Sequence, residues 1–193
     1  MHKLRAVFRA PNQAAEVLSR LREGNADYVA RGGTTLRTSI NLEALEQTDP
    51  IAAVVMCSDM HAVPEQVFGL SPGELCVMQT AANYVGEGEV AGAALACAHG
   101  VELVIVLGHS PCQIAAACEE TDEGAFGAAF RELRLSREEL CCNGTSLLHP
   151  EVQIAQTHAS RMAEILRRDL GLDSEIIVVA AYLHGPTGEV EFL

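Results

Sequence analysis

Tryptophan is absent from this 193-residue chain, and aromatic residues make up only 4% of it. A core without large rings has to be assembled from Ala, Val, Leu and Ile, within a hydrophobic content of 49%. Small side chains let helices lie close to a sheet, so the composition favours a layered α/β architecture. Basic residues are scarce as well: 13 Lys and Arg stand against 26 Asp and Glu, a formal net charge of −13. That field repels a phosphate backbone and no Lys/Arg cluster offsets it locally, which makes nucleic acid and anionic membrane poor candidates as partners. No apolar run is long enough to span a bilayer. The segment Met1–Arg22 is interrupted by Lys3, Arg5, Arg9 and Pro11 and lacks the apolar centre of a signal peptide, so a cytoplasmic location is expected. The length suits one domain over residues 1–193.

Cysteine, by contrast, is abundant, with seven residues. The odd number and the missing leader argue against an extracellular disulfide framework. Cys76, Cys97 and Cys118 sit in apolar runs and read as small buried hydrophobes, and the neighbouring Cys141 and Cys142 as two ordinary thiols. Cys57 and Cys112 differ, because each lies where a strand is expected to end.

Apolar periodicity predicts a helix over Asn12–Arg31 with a break near Gly24, and a weaker helical or irregular stretch over Leu36–Glu46. Ile51–Met56 is a continuous apolar run of the kind buried on both faces in a parallel sheet. A short helix is expected at Pro64–Phe68, a strand at Leu75–Gln79 and an Ala-rich helix at Gly88–His99 with Gly100 as its cap. Val101–Leu107 is the strongest strand and stops at Gly108-His109, with a helix opening at Pro111. Further helices are expected at Phe126–Leu140 and at Pro150–Leu170 closed by Gly171, then a strand at Ile176–Tyr182 and a short terminal extension. Glu119–Glu123 reads as a solvated acidic loop.

In open α/β sheets ligands gather beyond the carboxyl ends of parallel strands. Cys57-Ser58-Asp59 follows one expected strand and His109-Ser110-Pro111-Cys112 another. Thiolate and imidazole are good zinc donors, and a helix N-terminus favours thiolate over thiol. A lone H-x-x-C is usually incidental and a strand-terminal Cys is usually packing. Both at strand ends of one domain point to a zinc site formed by Cys57, His109 and Cys112, with Asp59 at the metal or capping a helix.

At these residues the chain resembles the β-class carbonic anhydrases. That family carries C-x-D-x-R, a segment close to P-G-D-L-F-V-x-R-x-A-G-N, and G-H-x-x-C-G. The corresponding stretches here are Cys57–His61, Ser71–Asn83 and Gly108–Gln113, with Glu23-Gly24-Asn25 and Tyr182 followed by Thr187–Val190 also matching family habits. The resemblance runs over nearly the whole chain, least closely across Glu120–Asn143. It implies a mainly parallel sheet flanked by helices in three layers, and zinc held by Cys57, His109 and Cys112 with a fourth position open to water or taken by Asp59. It implies hydration of carbon dioxide to bicarbonate, and a homodimer or higher even-numbered oligomer in which the helical arm 1–35 packs on a partner subunit.

The chain departs from that pattern at His61, which stands where the family has an Arg that pairs with the Asp and keeps it off the metal. Arg is permanently charged with a rigid donor fork, whereas a free His is mostly neutral above a pKa of about 6.5. Without that clamp Asp59 is expected to close the metal shell, so catalysis by Asp59 and His61 is expected to be weak or restricted in pH. Hydrolysis of carbonyl sulfide or carbon disulfide, and a non-catalytic zinc-containing binding module, are the alternatives. For His61 itself the readings are a surrogate for Arg, a hydrogen-bond partner of Asp59, a fourth zinc ligand, or a loop residue without a role. Gln113 and Ala82 replace family glycines, and Thr48 replaces a substrate-orienting Gln, with Gln47 beside it. Val63 and Val85 are expected to line a small apolar pocket. His99 is expected to end a helix, and His149, His158 and His184 to lie at the surface or an interface.

Overall fold

A computed structural model describes residues 13–34, 48–120, 127–142, 149–171 and 176–193. In chain order these form α1 (Gln13–Ala30), β1 (Ala52–Cys57), α2 (Pro64–Val67), β2 (Leu75–Thr80), a 3₁₀ turn (Ala81–Asn83), α3 (Glu87–Ala98) and β3 (Leu103–Ser110). They continue with α4 (Gln113–Glu120), α5 (Gly127–Cys142), α6 (Pro150–Leu170), β4 (Ile177–His184) and β5 (Val190–Phe192). The five strands lie in the order β2-β1-β3-β4-β5. The first three pairings are parallel and β5 returns antiparallel to β4.

Strand parity builds three layers. Ala52, Val54, Met56, Leu103, Ile105 and Leu107 face one side, where they pack with Ala14, Val17 and Leu21 of α1 and Phe68 after α2. Ala53, Val55, Val104 and Val106 face the other side, against Ala93 and Ala96 of α3 and Ala159, Met162 and Leu166 of α6. All six residues of β1 and all eight of β3 are buried, as an apolar run covered on both faces requires. The alanines at these contacts bring helix backbones close to the sheet, as the lack of aromatics implies.

α1 is one continuous helix through the break expected at Gly24. The glycine serves packing instead: a Cβ there would lie 1.9 Å from the carbonyl oxygen of Phe68. The next residue, Asn25, is 4% exposed and fully used. Its Nδ2 donates to the carbonyls of Val67 (3.1 Å) and Gly188 (2.8 Å), and its Oδ1 accepts from Val190 N (2.8 Å). This ties α1 to α2 and to the terminal hairpin, and accounts for both the Glu23-Gly24-Asn25 and the Thr187–Val190 motifs.

β3 does not stop at Gly108 but runs on to Ser110, because β4 supplies ladder partners Tyr182, Leu183 and His184 for Gly108, His109 and Ser110. The terminal extension is a strand, β5. α6 has Pro150 in its first turn, Arg167 and Arg168 in its last, and Gly171 in the left-handed conformation as its cap. The stretch Leu36–Glu46 and most of the acidic loop Glu119–Glu123 lie outside the described residues, as do residues 1–12 of the N-terminal arm.

Candidate metal centre

The strand order reverses direction at β1: β2 lies on one side of it and β3 on the other. The crevice at such a switch point, beyond the carboxyl ends, is where open α/β sheets receive ligands. β1 ends in Cys57 and β3 carries His109 near its end, and the pairing of Met56 with Leu107 puts Cys57 level with Gly108, one residue before His109. A cis peptide joins Ser110 to Pro111, and Cys112 follows directly before α4. One donor atom from each of Cys57, His109 and Cys112 lies within 4.8 Å of the others.

The donor set fits a tetrahedral metal. The two Sγ atoms are 3.8 Å apart, too far for a disulfide and equal to the edge of a tetrahedron with metal–sulfur bonds of about 2.3 Å. His109 is 8% exposed, and its buried Nε2 has no hydrogen-bond partner among the described residues. A buried ring nitrogen without a partner is costly unless a ligand takes it. The Cys57 thiol is pushed well below the usual thiol range, which favours its thiolate. The thiol of Cys112 donates to it first of all, with His109 and the backbone N–H of Asp59 adding and burial opposing. Cys112, as the donor of that pair, is pushed up by Cys57 and by burial. Cys76 and Cys97 are raised by burial and only partly covered, so neither they nor the buried Cys118 join the site.

Asp59 lies outside the three-donor group. Its Oδ2 accepts the backbone N–H of Gln113 at 2.7 Å, so the carboxylate holds the start of α4. His61 is exposed, and among the described residues no hydrogen bond or ion pair joins it to Asp59.

A cavity of about 840 Å³ opens beside His109 and Cys112. Its walls include Asn83, Leu133, Arg134 and His158, but neither Val63 nor Val85. Val63 is 48% exposed, and Val85 packs in the core on the α3 and α6 side of the sheet. The expected pocket is therefore larger and built from α4, α5 and α6 instead. His158 also corrects its surface assignment, being 1% exposed. Its Nε2 meets the carbonyl of Ala82 at 2.9 Å and its Nδ1 meets Ser136 Oγ at 3.1 Å. Burial lowers its pKa to about 4, so the ring is neutral, with Nε2–H donating to the carbonyl, while Nδ1 and the Glu132 carbonyl (2.8 Å) share the one hydroxyl proton of Ser136. One side chain thus joins α6, α5 and the 3₁₀ turn. His158 lies on the inner, apolar face of α6, among Ala155, Ala159 and Met162, which is the signal that marks it as buried.

Ala82 (φ 54°) and Asn83 (φ 45°) in that turn adopt left-handed backbone, where glycine is the easier residue. The Ala82 position is the one at which the resembled motif has Gly. Ser110 Oγ and the Tyr182 hydroxyl share a short hydrogen bond at the end of β3, and Tyr182 packs edge-on against His184 at 4.6 Å. His184 is half-buried with Nε2 3.5 Å from Glu191, His99 caps α3, and His149 precedes α6 at the surface.

The parallel sheet, its flanking helices and the Cys-His-Cys group at the switch point define an α/β protein with a group able to hold a metal ion. The family model described as carbonic anhydrase matches residues 52–169. The chain belongs to the carbonic anhydrase family, and its fold is that of the β class. Among solved structures it is similar to one of two tetrameric β-carbonic anhydrases from Sordaria macrospora, at 19% identity and a TM-score of 0.68, covering 94% of this chain and 97% of that one. The β-carbonic anhydrase CafA of Aspergillus fumigatus matches at 18% identity and a TM-score of 0.67, over 93% of this chain and 89% of its own. A Coccomyxa β-carbonic anhydrase in complex with acetazolamide matches at 17% identity and a TM-score of 0.64, over 93% and 85%.

Proposed function

We propose that this protein hydrates carbon dioxide to bicarbonate with a zinc ion held by Cys57, His109 and Cys112. The observation that carries the reading is the donor set itself: two sulfurs at tetrahedral-edge separation and a buried imidazole nitrogen without another partner. Zinc bound there supplies Lewis acidity and a coordinated water whose pKa falls to about 7. The chain's own residues then decide whether that position stays open. Asp59 is the carboxylate nearest in sequence to Cys57, and the Gln113 N–H draws its Oδ2 towards α4. That bond does part of the work expected of the missing Arg, while His61 stands exposed to solvent. A single backbone donor restrains a carboxylate less than a guanidinium fork does. The proposed activity is accordingly slower than a site with the Arg would give. The tetrameric Sordaria enzymes support an even-numbered homo-oligomer.

Stopped-flow hydration assays on protein of verified zinc content test the reading. Wild type is expected to hydrate carbon dioxide, and His61→Arg to do so roughly tenfold faster, the gain of one charge-assisted pair on Asp59. Absence of a rate in both, with zinc bound, would overturn catalysis in favour of a non-catalytic zinc module. Hydrolysis of carbonyl sulfide or carbon disulfide without carbon dioxide hydration would reassign the substrate.

A further inference from the structure

The metal centre brings two reduced sulfurs face to face, Cys57 Sγ and Cys112 Sγ, 3.8 Å apart. A disulfide holds its sulfurs about 2.05 Å apart, so an approach of roughly 1.8 Å separates this pair from a covalent bond. The two cysteines differ in what holds them and in what reaches them. Cys57 is 0% exposed and is fixed in β1, level with Thr80 of β2. Cys112 is half-buried, belongs to no strand or helix, and lines the cavity of about 840 Å³ beside the centre. A small oxidant entering that cavity meets the Cys112 sulfur, with the Cys57 sulfur behind it. An oxidised cysteine beside a second thiol condenses with it. Cys118 lines the same cavity but is turned away, packed with Phe130 and Leu133 and donating its S–H to the Phe130 carbonyl at 3.5 Å. Cys76 and Cys97 pack on the other side of the sheet.

We propose that Cys57 and Cys112 form a reversible disulfide pair, closed by hydrogen peroxide and mutually exclusive with the metal. The Cys112 thiolate attacks one peroxide oxygen, the O–O bond breaks, and hydroxide leaves, giving a sulfenic acid at Cys112. The Cys57 thiolate then attacks that sulfur, the S–O bond breaks, and a second hydroxide leaves. The two protons shed by the thiols turn both hydroxides into water. The sulfurs give up two electrons between them, and the peroxide takes both. Zinc binds thiolate, so the disulfide removes two of the three donors and leaves the His109 imidazole with no partner at the centre to share an ion. The pairing stands on the placement of the two sulfurs, and its coupling to zinc rests on the metal-site reading.

Mass mapping of the full chain, zinc-loaded and chelator-stripped, after hydrogen peroxide tests it. Digestion at glutamate puts Cys57 in Gln47–Glu65 and Cys112 with Cys118 in Leu103–Glu119, and fragmentation of the linked peptides tells those two apart. The stripped chain is expected to lose two thiols and to carry a Cys57–Cys112 cross-link that dithiothreitol reopens. The zinc-loaded chain is expected to release zinc in step with the cross-link and to rebind it after reduction. Cys118→Ser is expected to cross-link as the wild type does, and Cys112→Ser to leave Cys57 unlinked and reduced. Should Cys118→Ser fold poorly, the wild-type fragments decide the partner by themselves. A cross-link from Cys57 to Cys118 overturns the proposal, as does oxidation of Cys112 to its sulfinic acid with no cross-link, or zinc that stays bound to the cross-linked chain. Zinc content and carbon dioxide hydration of the untreated chain report the metal-site reading separately. A chain that takes up no zinc yet cross-links sinks that reading and keeps the pair.

Discussion

Ala82 sits at φ 54°, ψ 34°, a conformation that costs a non-glycine residue about 1–2 kcal/mol. Its Cβ is buried there, at 2% exposure. Ala82→Gly relieves the strain and gives back about 0.4–1 kcal/mol through the freer unfolded chain. The net expectation is a gain of about 0.5–1 kcal/mol, read as a higher urea midpoint at unchanged slope. His158 makes a prediction in pH. Its folded pKa is lowered to about 4 from 6.5, so between those values the unfolded chain binds a proton that the native state refuses. Stability contributed by the neutral ring is complete above pH 6.5 and falls as pH drops towards 4, by an amount on the order of 3 kcal/mol. Glu132 and Arg161 both face the ring, and their opposed charges partly cancel. His158→Gln, which cannot titrate, is expected to flatten that part of the stability curve, measured by urea unfolding at pH 5 and 7. That Cys57, His109 and Cys112 would come together was legible because strand ends and H-x-x-C spacing constrain each other. The backbone partners of Asp59 and His158 were not, since the Gln113 N–H and the Ala82 carbonyl are groups that any sequence carries, and the Ser136 partner of His158 lies 22 residues away on another helix.

Most helices and strands follow from periodicity and punctuation. Pro150 and Gly171 bound α6 as read, and the buried runs of β1 and β3 are where continuous apolar sequence places them. The misses share a cause: each depends on a partner outside the segment itself. β3 is lengthened by β4, β5 exists by pairing with β4, and α1 passes through Gly24 because the Phe68 carbonyl needs the space. Gly24→Ala should therefore destabilise the fold despite the better helix propensity of alanine. The gain of up to about 1 kcal/mol in propensity is outweighed by an overlap with backbone that has no rotamer to yield. A net loss of about 2 kcal/mol or more is expected in urea unfolding, with Asn25 and its three hydrogen bonds displaced along with the helix.

The sheet gathers donors from residues 57, 109 and 112 at one crevice, so a metal held there couples β1 to β3 and α4. A ligand that binds only the native state adds stability by mass action. Stripping the metal with a chelator is expected to lower the melting temperature by several degrees, and Cys112→Ser to remove most of that difference, as followed by calorimetry with metal analysis. The three donors are not equally mobile. Cys57 and His109 are buried in two parallel strands, whereas Cys112 stands between β3 and α4, is only half-buried, and belongs to no ladder. A metal held here would part most easily from Cys112, whose connection can open while Cys57 and His109 stay fixed in the sheet.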